Sequence, residues 1–194
     1  MNISIIKYNA GNIQSVLFAL ERIGITATVT DDSELLRSSD KVIFPGVGEA
    51  STAMNYLKER NLDKLIISLK QPVLGICLGM QLLCDYSEEN DTNCLGLFKT
   101  KVKKFTGDLK IPQIGWNKIS VTSTTPLLKK MPDNPYCYFV HSYYADLCNN
   151  TIAETEYGIT FSSALVKDNF YGVQFHPEKS ATTGEQIFKN FLSL

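Results

Sequence analysis

Short strand-like runs alternate with stretches of helical periodicity through the first half of the chain, and this alternation restricts the fold more than any other feature. Asn2–Tyr8 reads as a strand. Ile13, Val16, Leu17, Leu20 and Ile23 then recur at helical spacing behind Asn12, which is suited to cap a helix, and Gly24 is placed to end it. Thr26–Thr30 is strand-like, Asp31-Asp32-Ser33 forms a turn or cap, and Lys41–Phe44 is a strand entering Pro45-Gly46-Val47-Gly48. A helical stretch from about Ala50 to Lys70 precedes the apolar strand Pro72–Ile76, and Leu78–Tyr86 reads as a helix. Strands and helices alternating at this spacing make βαβ units. The expected fold class is therefore α/β, with a doubly wound, mostly parallel sheet.

The second half changes character and adds short strands that suit antiparallel pairing. Ser87–Asn93 is polar and loop-like. Lys99–Phe105, Asn117–Thr122, Tyr136–Tyr143, Ile152–Glu156, Ser163–Lys167 and Phe170–Phe175 read as strands, with Asp168-Asn169 a good hairpin tip. Thr183–Leu192 looks like a closing helix, with Ile187, Phe188, Phe191 and Leu192 turned to the body. There is no repeat, low-complexity tract or linker, and 194 residues suit a single domain spanning 1–194.

Composition excludes several classes of function. A net charge of −1 provides no basic stripe for nucleic acid and no polybasic patch for a membrane. The N-terminus lacks a charged leader followed by a long apolar run, and Val73–Cys84 is too short for the ~20 residues a membrane span needs. Five cysteines cannot all pair and none has C-x-x-C spacing, so free thiols in a reducing cytoplasm are expected. Cys84, Cys94, Cys137 and Cys148 read as structural by default. Two distant histidines and scattered cysteines offer no metal cluster, and no cofactor is implied.

Three segments can carry chemistry. Gly75-Ile76-Cys77-Leu78-Gly79 lies between an apolar strand and a helix, with the logic of a nucleophile elbow carrying Cys. Small neighbours allow the close approach such a turn needs, and a helix N-terminus behind Cys77 favours its thiolate. The competing reading is one more buried, inert cysteine. A nucleophilic Cys needs a base, and there are two histidines to supply it. His176, in Phe175-His176-Pro177-Glu178, can reach Glu178 two residues on in an extended segment, and such a carboxylate would orient the imidazole. His141, in His141-Ser142-Tyr143-Tyr144, competes for the role. Pro45-Gly46-Val47-Gly48 is either a tight turn, a phosphate-binding turn or part of an oxyanion hole with the Leu78 N–H. No G-x-G-x-x-G pattern supports the phosphate reading.

Taken together in this order and spacing, the three segments resemble class I (triad-type) glutamine amidotransferases over nearly the whole chain. Within that class the chain is similar to glutaminase subunits of imidazole glycerol phosphate synthases. Tyr8-Asn9-Ala10-Gly11-Asn12, Ile111-Pro112-Gln113-Ile114-Gly115-Trp116-Asn117 and Phe139-Val140-His141-Ser142-Tyr143-Tyr144 carry that narrower likeness. The resemblance implies a flavodoxin-like fold and a catalytic triad of Cys77, His176 and Glu178, with His141 in the segment lining the glutamine pocket. It implies that Val47, Gly48 and Leu78 supply oxyanion donors and that Gln81, Ser142 and Tyr143 meet the substrate.

The implied reaction is hydrolysis of L-glutamine to glutamate and ammonia through a Cys thioester. Free ammonia would be protonated and lost in water, and the chain ends at Leu194 with no acceptor domain, so a partner is expected. The resemblance makes that partner a (β/α)8-barrel cyclase of histidine biosynthesis, joined as a heterodimer, with Asn12, Trp116, Tyr138 and Lys179 on the docking face. A flexible Pro45–Gly48 loop that completes the oxyanion hole only with the partner and its ligand bound would keep the isolated chain slow. The alternatives are a paralogous glutaminase feeding another acceptor, such as a surface-sugar amidination enzyme, a Cys hydrolase acting on other γ-glutamyl amides, and a non-catalytic binding module.

Overall fold

The computed structural model describes residues 1–9 and 12–194. Ala10 and Gly11 of the Tyr8–Asn12 segment therefore lie outside the described residues. In chain order the first half comprises β1 (Ile3–Ile6), α1 (Ile13–Arg22), β2 (Ala27–Thr30), α2 (Ser33–Ser38), β3 (Lys41–Phe44), α3 (Ala50–Glu59), α4 (Leu62–Ser68), β4 (Val73–Ile76) and α5 (Leu78–Leu82). The second half adds β5 (Cys84–Ser87), β6 (Thr92–Asn93), β7 (Phe98–Lys104), β8 (Gln113–Lys118), β9 (Ser120–Val121), β10 (Tyr136–His141), β11 (Tyr143–Ala145), β12 (Thr151–Tyr157), β13 (Ile159–Lys167), β14 (Phe170–Val173) and α6 (Ala181–Leu192).

Strands β2, β1, β3, β4 and β14 lie side by side in that order and all run parallel. This is the 2-1-3-4-5 order of flavodoxin-like folds, with β14 in the fifth place. Beyond β14 the sheet turns antiparallel through β13 and β11 to β7, and β7 then pairs in parallel with β5. The four residues of each of β1, β3 and β4 are buried, as strands covered by helices on both faces must be. One core cluster includes Phe44, Leu57, Ile66 and Phe98, and another includes Leu20, Phe139, Phe161, Phe175 and Phe188.

Several element boundaries differ from those expected. The helix read as Leu78–Tyr86 stops at Leu82, and Cys84–Ser87 instead pairs with β7 and β6. The helical stretch from Ala50 breaks at Asn61, which takes a left-handed φ of 55°. Asp32 does cap, its Oδ1 accepting from Glu34 and Leu35 N–H at 2.9 Å, but it opens a helix, α2, that the turn reading omitted. Asn117–Thr122 is the end of one strand and the start of another. Tyr136–Tyr143 divides at Ser142 into β10, which among the described residues pairs only with β8, and β11, which joins the main sheet.

Candidate active site

Three neighbouring parallel strands, β3, β4 and β14, deliver the expected chemistry at their carboxyl ends, where open α/β sheets bind ligands. Pro45–Gly48 follows β3, Cys77 follows β4, and His176 and Glu178 follow β14. Cys77 sits at φ 52°, ψ −109°, a conformation that costs a non-glycine residue about 1–3 kcal/mol. Its surroundings leave no space for side chains. A Cβ on Gly79 would lie 1.8 Å from the Phe44 carbonyl oxygen, and one on Gly46 would lie 2.0 Å from the Tyr8 hydroxyl. That hydroxyl donates to the Pro45 carbonyl at 2.6 Å, pinning the loop from below. Because α5 spans only five residues, the dipole behind Cys77 is smaller than a helix reaching Tyr86 would provide.

His176 and Glu178 are both buried, and the imidazole Nδ1 lies 2.8 Å from Glu178 Oε1. A short 3-10 turn, Pro177–Lys179, makes this contact, in place of the extended segment expected. Burial pulls the His176 pKa down, but the neighbouring Cys77 sulfur and the Glu178 carboxylate outweigh it and push the value up to about 10. The second carboxylate contact is unexpected. Asn12 Nδ2 donates to Glu178 Oε1 at 3.2 Å, so the side chain expected to cap α1 makes no cap bond and turns to the dyad.

His141 is built for a different role. Its Nδ1 donates to the Tyr143 carbonyl at 2.7 Å, its Nε2 lies 2.9 Å from the Gln113 carboxamide, and burial lowers its pKa to about 4. With both nitrogens engaged and the ring neutral, it braces the pocket wall.

A cavity of about 330 Å³ opens over Cys77 and is lined by Val47, Gly48, Leu78, Gln81, Ser142, Tyr143, His141, His176 and Lys179, among others. That volume suits a small amino-acid-sized ligand. Glu89, which the sequence reading missed, also lines it, half-buried and accepting the Ala50 N–H at 2.7 Å. Its only sequence signal was an acid in a polar loop. Gln81 spends both N–H groups internally, on the Tyr143 carbonyl and on Gln174 Oε1 at 2.9 Å each, leaving only its oxygen for a substrate. The Leu78 N–H is also occupied: it donates to the Gly46 carbonyl at 3.3 Å, because the first N–H groups of a helix need partners from outside it.

Trp116 and Tyr138 face one another across β8 and β10, ring centroids 6.0 Å apart, and the Lys179 ammonium lies 5.8 Å from the Tyr138 ring. Ile114 and Tyr136 extend this exposed stripe, and alternation along the two strands was the signal that could have found them.

The comparisons with known proteins agree with this arrangement. The family model for class-I glutamine amidotransferases matches residues 5–194. The chain is 53% identical, over the full length of both chains, to a Bacteroides thetaiotaomicron protein named imidazole glycerol phosphate synthase subunit HisH. It is 55% identical over the same full extent to one of that name from Bacteroides fragilis. Among solved structures, PurLQS from Thermotoga maritima superposes with a TM-score of 0.74 at 16% identity, covering 99% of this chain and 97% of that one, a likeness of fold. An elbow cysteine facing a buried His–Glu dyad, and a family match running from the first strand to the last residue, lead to one assignment: the chain belongs to the class-I glutamine amidotransferases.

Proposed function

We propose that this chain is the glutaminase subunit of an imidazole glycerol phosphate synthase, working as one domain over residues 1–194 in the cytoplasm. The observation that carries this is the meeting, in one small cavity, of Cys77 on its strained turn with His176, whose Nδ1 is backed by Glu178. Cys77, as a thiolate whose proton is held on His176, attacks the side-chain carbonyl carbon of glutamine. His176 returns the proton to the departing nitrogen, and ammonia leaves behind a γ-glutamyl thioester. His176 then takes a proton from water, whose oxygen attacks the thioester, and glutamate is released as the thiolate re-forms with the proton on His176. Glu178 holds the imidazole in register and stabilises its charged form. Glu89 is the carboxylate on the cavity wall suited to the α-ammonium of the substrate.

The tetrahedral intermediate needs N–H donors, and the resting contact between Leu78 and Gly46 supports a gated oxyanion hole. Rotating the Gly46–Val47 peptide withdraws the carbonyl from Leu78 and turns the Val47 N–H toward the cavity. Glycine on each side of Val47 keeps that rotation inexpensive. The partner is a (β/α)8-barrel cyclase that receives the ammonia, and the stripe of exposed Ile114, Trp116 and Lys179 with half-buried Tyr138 supports its docking beside the cavity.

The test is a glutaminase assay of the wild type and Cys77→Ala, each with and without the cyclase and its nucleotide ligand. The expected result is slow hydrolysis by this chain on its own, strong stimulation in the complex, and none above background in Cys77→Ala. Hydrolysis that survives Cys77→Ala overturns the mechanism, and full activity in the isolated chain overturns the gate.

A further inference from the structure

Gln174 is completely buried one residue beyond β14, at the floor of the site. Strands β14 and β4 run parallel with Val173 beside Ile76, so the residues that follow, Gln174 and Cys77, are neighbours as well. The orientation of the Gln174 carboxamide is dictated by its partners. The Tyr143 carbonyl can only accept, so Gln81 presents its NH2 there, and that same nitrogen donates to Gln174 Oε1. Gln174 is left with its own NH2 toward the nucleophile, Nε2 lying 3.6 Å from Cys77 Sγ. A protonated thiol has another partner: Sγ lies 3.8 Å from the Val140 carbonyl, which can take its proton in a hydrogen bond.

From this one-way series of donors we infer that Gln174 is a further catalytic residue, whose N–H stabilises the Cys77 thiolate once its proton has moved to His176. Gln81 is the positioning residue that keeps the Gln174 oxygen away from the sulfur. The inference rests on Cys77 being the nucleophile proposed above. Other titratable groups around the sulfur are Tyr8 beyond β1, Glu89 beyond β5, His141 on β10, Tyr143 on β11, and His176, Glu178 and Lys179 beyond β14. Gln174 adds to these a neutral donor from the buried side.

The experiment titrates the Cys77–His176 pair by thiolate ultraviolet absorbance, taken as the difference from Cys77→Ala, with no glutamine present. Gln174→Met keeps the volume and removes the donor. It should raise the thiolate inflection by about one pH unit, with about tenfold slower alkylation by iodoacetamide below that pH. An unchanged inflection in folded Gln174→Met overturns the inference. A second reading needs no change at Gln174: its side-chain NH2 resonance in the labelled native protein should shift with the same inflection and cease to do so in Cys77→Ser. A resonance indifferent to that inflection also overturns it. Neither measurement depends on glutamine turnover, so failure of the proposed reaction would be seen separately, in the hydrolysis assay.

Discussion

Two residues of one type, His141 and His176, end in opposite states, and the difference lies in their partners. His141 is lowered chiefly by burial; the Tyr143 carbonyl it meets favours the charged ring but is outweighed, and among the described residues no carboxylate sits beside it to tip the balance. His176 meets a sulfur and a carboxylate, and these win over burial. Removing the larger of the two favourable influences should therefore show directly. In Cys77→Ala, the His176 imidazole should titrate well below the wild-type value of about 10, read from its ring resonances against pH. The sign for stability follows from the raised value. The stabilisation from a charged His176 is complete below its unfolded pKa, near 6.5, and is lost as pH rises through about 10. Denaturant midpoints should fall across that window in the wild type and fall less in Cys77→Ala. The pairing of His176 with Glu178 was legible because they are two residues apart. Gln113, Gln174 and Asn12 were not, since each reaches its partner across 28 to 166 residues of chain.

Elements were legible where one periodicity ran its full length between clear stops, as in β3, β4 and α1. They were misread where tertiary pairing overrode a local pattern. Leu78–Tyr86 carries enough apolar residues for a longer helix, but β7 offers Cys84–Ser87 a strand to pair with, and helix α5 ends after Leu82. The brevity of α5 is matched by how closely it is pressed to β3. Gly79→Ala would drive a methyl group to 1.8 Å from a backbone oxygen that no rotamer change can move. The expected cost is about 3 kcal/mol in denaturant unfolding, the upper part of the range for overpacked cores, together with loss of Cys77 alkylation by a glutamine-like electrophile. Stability within about 0.5 kcal/mol of wild type would show that the contact between α5 and β3 is softer than described.

At the level of the whole molecule, the parallel strands collect the site at one end of the sheet, and the β8–β10 ribbon carries an apolar stripe to its rim. Trp116 is 53% exposed, so its removal should leave the fold intact while weakening association with the proposed cyclase partner by about 30-fold, or about 2 kcal/mol. Titration calorimetry on Trp116→Ala alongside thermal unfolding separates the two effects. Binding at wild-type strength would mean that the partner seats elsewhere. The fold class was readable from alternation alone, whereas the ribbon was not, because its two strands are joined by a long connection that holds β9 and a 3-10 turn, and among the described residues they pair only with each other. On the proposed function, the Gly46 carbonyl resting on the Leu78 N–H also bears on supply within the cell. A glutaminase that occupies its own anion site can be made in excess of its partner without draining the glutamine pool, so the two chains need not be synthesised in strict proportion.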